Sequence, residues 1–133
     1  MYRMTVEARF SAAHFLRNYP GPCCQLHGHN YCVEARLAGT ELDALGMLVD
    51  YTIVKRALTE AVEPFDHAYL NELPEFTEVN PTSENIARLL YTRVKERLLT
   101  TQDLRRRVRL VEVIVYETEK QGVGYGEESD ADL

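Results

Sequence analysis

An α+β domain is what this sequence predicts, from the order in which two periodicities appear along its 133 residues. Two segments before residue 40 alternate apolar and polar side chains with period two, the pattern of half-buried strands. Two later segments carry apolar residues at helical spacing, and a β-rich stretch follows them. The resulting order, ββααββ, implies a four-stranded antiparallel sheet with two helices packed on one face.

The first strand covers Met4 to Phe10, with Met4, Val6, Ala8 and Phe10 on one side and Thr5, Glu7 and Arg9 on the other. Tyr31, Val33, Ala35 and Leu37 repeat that pattern against Cys32, Glu34 and Arg36, and the two strands are expected to pair antiparallel. Cys32, inside this strand, suits a small buried hydrophobe. Tyr19-Pro20-Gly21-Pro22 breaks the chain between the strands. Residues 11 to 26 make too long a connection for a tight hairpin, and such loops in small domains usually carry function. The first helix has two candidate N-caps, Asp50 and Thr52. Ile53, Val54, Ala57, Leu58, Ala61 and Val62 form its buried stripe, and Pro64 stops it. The second helix opens at Pro81-Thr82-Ser83-Glu84, a capping hydroxyl with an acidic first turn, and buries Ile86, Ala87, Leu90, Val94 and Leu98. Thr100 to Arg107 reads as a polar, basic connection. Val108 to Glu117 is β-rich, and Gly122 to Tyr125 is a short final strand. The chain divides into a main domain over residues 1–120 and a segment 121–133, the final strand plus a frayed acidic tail.

Composition narrows the class. Hydrophobic residues make up 45% and charged residues 27%, ordinary values for a domain that buries a core without staples. A formal charge of −6 argues against a nucleic-acid-binding face. No apolar run approaches a membrane span, and the N-terminal segment lacks a signal-peptide core. Three cysteines, an odd number, do not make a disulfide framework. A soluble protein of a reducing cytoplasm is expected.

The four histidines, His14, His27, His29 and His67, stand where chemistry would use them. On a strand beginning near His27, residues 27, 29 and 31 share one face, so two imidazoles can meet one ion. Gly28 between them leaves room for other groups. His14 lies past the end of the first strand, and strand pairing would bring it alongside. A His-x-His pair alone is as readily a polar strand junction, but the third histidine shifts the balance to a metal. Three nitrogen ligands with one open position describe a catalytic zinc site.

Cys23 precedes the pair in a loop, where a nearby cation would favour its thiolate as base or nucleophile; the plainer alternative is a small buried hydrophobe. Asp66-His67 reads either as a proton relay serving that thiol or as a helix-terminating turn with a local hydrogen bond. Arg109, Val111, Val113, Val115 and Glu117 share a face by period two. Glu117 then either sits at the rim in water or receives two parallel hydrogen bonds from a 2-amino-pyrimidinone edge.

Together, Phe10-Ser11-Ala12-Ala13-His14, Cys23-Cys24-Gln25-Leu26-His27-Gly28-His29, Asp66-His67-Ala68-Tyr69-Leu70-Asn71, Pro81-Thr82-Ser83-Glu84-Asn85 and Glu117-Thr118 resemble one family. It is the 6-pyruvoyl-tetrahydropterin synthase and 6-carboxytetrahydropterin synthase family, and the resemblance runs from about residue 3 to 120. It implies the tunnelling fold, assembled into trimers and usually hexamers with active sites between subunits. It implies zinc on His14, His27 and His29, proton transfer by Cys23, Asp66 and His67, and Glu117 as holder of the pterin ring. The substrate implied is 7,8-dihydroneopterin triphosphate. Cys-x3-His-Gly-His is similar to the bacterial 6-carboxytetrahydropterin synthases of queuosine and 7-deazapurine biosynthesis. The pyruvoyl-forming enzymes tend to place two more residues in that gap, and a third branch replaces the cysteine by glutamate. The product expected is therefore 6-carboxy-5,6,7,8-tetrahydropterin, with acetaldehyde and triphosphate released. A 6-pyruvoyl-tetrahydropterin synthase, or a zinc-dependent pterin-binding protein without turnover, are the alternatives.

Overall fold

Alternation in the first forty residues becomes a long two-strand ribbon. In the computed structural model, which describes residues 1–127, β1 (Tyr2–His14) and β2 (His27–Gly39) pair antiparallel from Tyr2 opposite Gly39 to His14 opposite His27. The acidic tail beyond residue 127 lies outside the described residues. β1 is longer than its clearest alternation, so Ala12 and His14 extend the inward row of Ala8 and Phe10. Phe10 stacks on Tyr31 across the ribbon with ring centroids 4.6 Å apart. Cys32 belongs to the opposite face and is not a core side chain. It is half-buried and its thiol donates a hydrogen bond to Glu7 Oε2 at 3.0 Å, while burial pushes its pKa up to about 11.

Asp50 caps α1 (Tyr51–Val62) by accepting the Thr52 N–H. Val54, Ala57, Leu58, Ala61 and Val62 are buried, but Ile53 is 44% exposed, rotated one position off the stripe. Pro64 lies in a 3-10 turn, Glu63–Phe65, that ends the helix. Thr82 caps α2 (Ser83–Leu98), its hydroxyl oxygen accepting from the Asn85 N–H at 3.2 Å, and Tyr91 joins the expected stripe in the core. The expected basic connection contains a further short helix, Gln102–Arg107, capped by Thr101 and tied by an Arg107–Asp103 ion pair.

The sheet has five strands and is mixed, rather than four strands and antiparallel. The added strand, β3 (Ala68–Tyr69), pairs parallel with Ala12 and Ala13. With β4 (Arg109–Thr118) and β5 (Gln121–Tyr125) the order is β3-β1-β2-β4-β5. The expected row on β4 also breaks. Arg36 pairs with Glu112 and Leu37 with Leu110, so Val111 is an extra residue in a bulge. The bulge turns Val108 and Leu110 into the core in place of Arg109 and Val111. α1 packs on β1 and α2 on β4 and β5, covering the face that carries the inward rows.

Candidate active site

At the end of the β1–β2 ribbon the inward rows turn from aromatic to imidazole. His14 faces His27 directly across the ladder, and His29 faces Ala12. Period two therefore stacks His14, His27 and His29 beside Tyr31 on the covered face. Their rings lie 4.6 to 5.1 Å apart, centroid to centroid, and one nitrogen from each lies within 4.8 Å of the others.

The outer hydrogen bonds orient these rings. His14 Nδ1 donates to the Pro81 carbonyl at 2.8 Å, and His27 Nδ1 donates to the Gln25 carbonyl at 2.7 Å. Both Nε2 atoms are then left as lone pairs, yet they face each other at 3.0 Å. His29 Nε2 is buried with no hydrogen-bond partner among the described residues. Burial lowers the pKa of both His14 and His29, against the opposing pull of the Pro81 carbonyl and then Glu117 on His14 and of Glu117 on His29, and so favours the neutral ring that a metal needs. Lone pairs turned toward a common centre, with backbone carbonyls behind them, fit a bound cation. His14 is 1% exposed, so the ion would be reached from the His27 and His29 side.

Glu117, near the end of β4, brings its Oε1 to 3.4 Å from Nε2 of both His14 and His29. It is partly buried, not a rim residue pointing into water. Its charge and, above all, burial push the Tyr31 phenol well above its usual range.

Asp66 and His67 lie elsewhere. Asp66 Oδ1 accepts from the Ser11 N–H at 3.0 Å, the main reason its carboxyl is held below the usual range. Its Oδ2 is 3.0 Å from His67 Nδ1. His67 adopts a left-handed backbone (φ 58°), held by a bond from its N–H to the Ser11 carbonyl. The imidazole is 83% exposed. It borders a cleft of about 390 Å³ whose lining includes Ser11, Ala13, Gly28 and Asn30, which alternate with the histidines along the ribbon, and also His29 of the cluster itself. A Cβ at Gly28 would meet only the Ala12 carbonyl, at 3.5 Å, so its absence keeps that cleft floor low.

Cys23 is half-buried in a 3-10 turn, Pro22–Cys24, and its carbonyl accepts from the Leu16 N–H at 2.8 Å. It stands outside the histidine ligand group, and its thiol has no hydrogen-bond partner among the described residues. Cys24 beside it is exposed. One chain thus gathers His14, His27, His29 and Glu117, and leaves the Asp66–His67 pair outside that group, beside the cleft it shares with His29. Sequence reasoning missed two positioning groups, the Pro81 carbonyl and the Ser11 backbone. Neither has a side-chain signal, because both act through the main chain.

A sequence model of the family described as 6-pyruvoyl tetrahydropterin synthase matches residues 3–128. The chain is 34% identical over 122 residues to the 6-carboxy-5,6,7,8-tetrahydropterin synthase of Bacillus subtilis, covering 88% of this chain and 80% of that one. It is 37% identical over 107 residues to a putative enzyme of the same name from Archaeoglobus fulgidus, covering 80% and 84%. Among solved structures, the 6-pyruvoyl tetrahydropterin synthase of Caenorhabditis elegans superposes with a TM-score of 0.79 at 28% identity, covering 96% of each chain. With its histidine-bearing ribbon and this match over nearly its whole length, the chain belongs to the 6-pyruvoyl tetrahydropterin synthase family.

Proposed function

We propose that the chain is a zinc-dependent 6-carboxy-5,6,7,8-tetrahydropterin synthase. It would act on 7,8-dihydroneopterin triphosphate and, with water, form 6-carboxy-5,6,7,8-tetrahydropterin, acetaldehyde and triphosphate, as a step toward queuosine and other 7-deazapurines. The observation that carries the reading is the cluster His14, His27 and His29, whose Nε2 lone pairs of His14 and His27 converge at 3.0 Å. The Cys-x3-His-Gly-His spacing and the names of the relatives at 34% and 37% identity favour the carboxy product over the pyruvoyl one.

The three imidazoles would hold zinc, which supplies Lewis acidity to the hydroxyls of the substrate's side chain. Cys23 takes a proton from that side chain as general base, and His67, oriented by Asp66 Oδ2, returns one. Glu117 accepts hydrogen bonds from the amino-pyrimidinone edge, which fixes the scissile side chain relative to these groups. Because Asp66 and His67 stand outside the histidine ligand group, with the His67 imidazole 83% exposed, a second copy would complete each site, in a homohexamer of two trimers. Among the described residues no helix is long and apolar enough to cross a membrane; the cytoplasm is the location we propose on the strength of the activity, not of that absence.

Metal removal tests this reading. A strong chelator should abolish turnover while far-ultraviolet circular dichroism keeps most of its amplitude, and added zinc should restore activity. Unfolding on chelation would instead make the metal a structural staple.

A further inference from the structure

Glu117 lies closer to the histidines than the holding of a pterin ring requires. Its Oε1 is 3.4 Å from His14 Nε2 and 3.4 Å from His29 Nε2. Atoms that each bind one tetrahedral zinc ion at about 2.0–2.1 Å stand about 3.3–3.4 Å from one another. The carboxylate contacts therefore have the length of a tetrahedron's edges. They are not hydrogen bonds of the ordinary kind. His14 Nδ1 donates to the Pro81 carbonyl, which leaves Nε2 as a lone pair, and His29 Nε2 is buried without a hydrogen-bond partner among the described residues. An anion facing the His14 lone pair is repelled unless a cation lies between them, and His29 Nε2, in either tautomer, makes no hydrogen bond among the described residues that would relieve it.

On the reading that the histidines hold zinc, we propose that Glu117 is the fourth zinc ligand of the substrate-free protein. The carboxylate closes the open position and offsets one of the ion's two charges, which three neutral imidazoles leave uncompensated. It is the part of the cluster best able to leave. Glu117 is 29% exposed and lies next to the irregular pairing between Tyr116 and Thr118, whereas His14 is fixed at 1% exposure. An arriving ring with paired N–H donors would draw the carboxylate away from the metal, so that ring recognition and opening of the metal position become one event.

The test compares wild type, Glu117→Gln and Glu119→Gln, which removes a neighbouring charge that does not touch the cluster. Zinc affinity is read by competition with a chromogenic chelator, and the cobalt(II)-loaded proteins are compared by their visible ligand-field bands. Unfolding of the metal-free proteins confirms that Glu117→Gln folds like wild type. The expected result is zinc affinity lower by at least about tenfold in Glu117→Gln alone, with altered cobalt bands in that variant. Equal affinity and superimposable cobalt spectra in wild type and Glu117→Gln overturn the proposal while leaving the three-histidine zinc site standing. An equal loss in Glu119→Gln also overturns it, because it would reflect bulk charge. A wild type that takes up no zinc sinks the functional reading itself.

Discussion

Replacing Cys23 by Ala separates binding from chemistry, because the thiol stands outside the histidine ligand group. The variant should load zinc like wild type and lose turnover by about 10²- to 10⁴-fold, the usual worth of one acid–base group. Metal content and a steady-state assay check both halves, and unchanged turnover would remove Cys23 from proton transfer. At this scale the sequence was informative where one strand sets the geometry. His27 and His29 share a face by period two, and pairing with β1 puts His14 opposite His27. It was less informative about Asp66 and His67. Their place depends on β3 docking beside β1 and on two backbone bonds to Ser11, none of which leaves a side-chain pattern.

Two glycines of β2 show how differently its ends are constrained. A Cβ on Gly39 would come within 2.5 Å of the Arg107 carbonyl and 2.6 Å of a Leu48 methyl, where backbone and core close on the strand. Gly39→Ala should therefore destabilise the fold by about 1–3 kcal/mol. Gly28→Ala meets only an ordinary contact at 3.5 Å and should leave stability nearly unchanged. Urea unfolding of the two variants checks the contrast, and equal losses would contradict it. Long periodic elements such as β1, β2, α1 and α2 could be read from the chain because each repeats its pattern several times. A two-residue strand has no period to read, and the short helix at Gln102–Arg107 buries none of its residues. The β4 bulge at Val111 is legible only once its partner strand is known, since an extra residue changes nothing in composition. Ile53 went to solvent for a similar reason. The stripe was wide enough on paper to include it, and packing against β1 decided otherwise.

The whole molecule raises the matter of what one chain leaves unfinished. Its histidine cluster lies at the end of the ribbon, its exposed His67 borders a cleft that reaches His29, and the Cys23 thiol belongs to neither the ligand group nor that cleft's lining among the described residues. If a second copy completes the site, Cys23→Ala and His67→Ala proteins should each be inactive alone and recover part of wild-type activity when unfolded together and reassembled. No recovery in a mixture of confirmed hybrid oligomers would place both residues in one protomer's site. The oligomer could not be read from strand patterning, which records what each chain buries in itself. The claim on which the rest depends is the chemistry. Purified, zinc-loaded protein incubated with 7,8-dihydroneopterin triphosphate, its products identified by mass, should yield 6-carboxy-5,6,7,8-tetrahydropterin with an equivalent of acetaldehyde. Accumulation of 6-pyruvoyl-tetrahydropterin without acetaldehyde, or unchanged substrate, would contradict it.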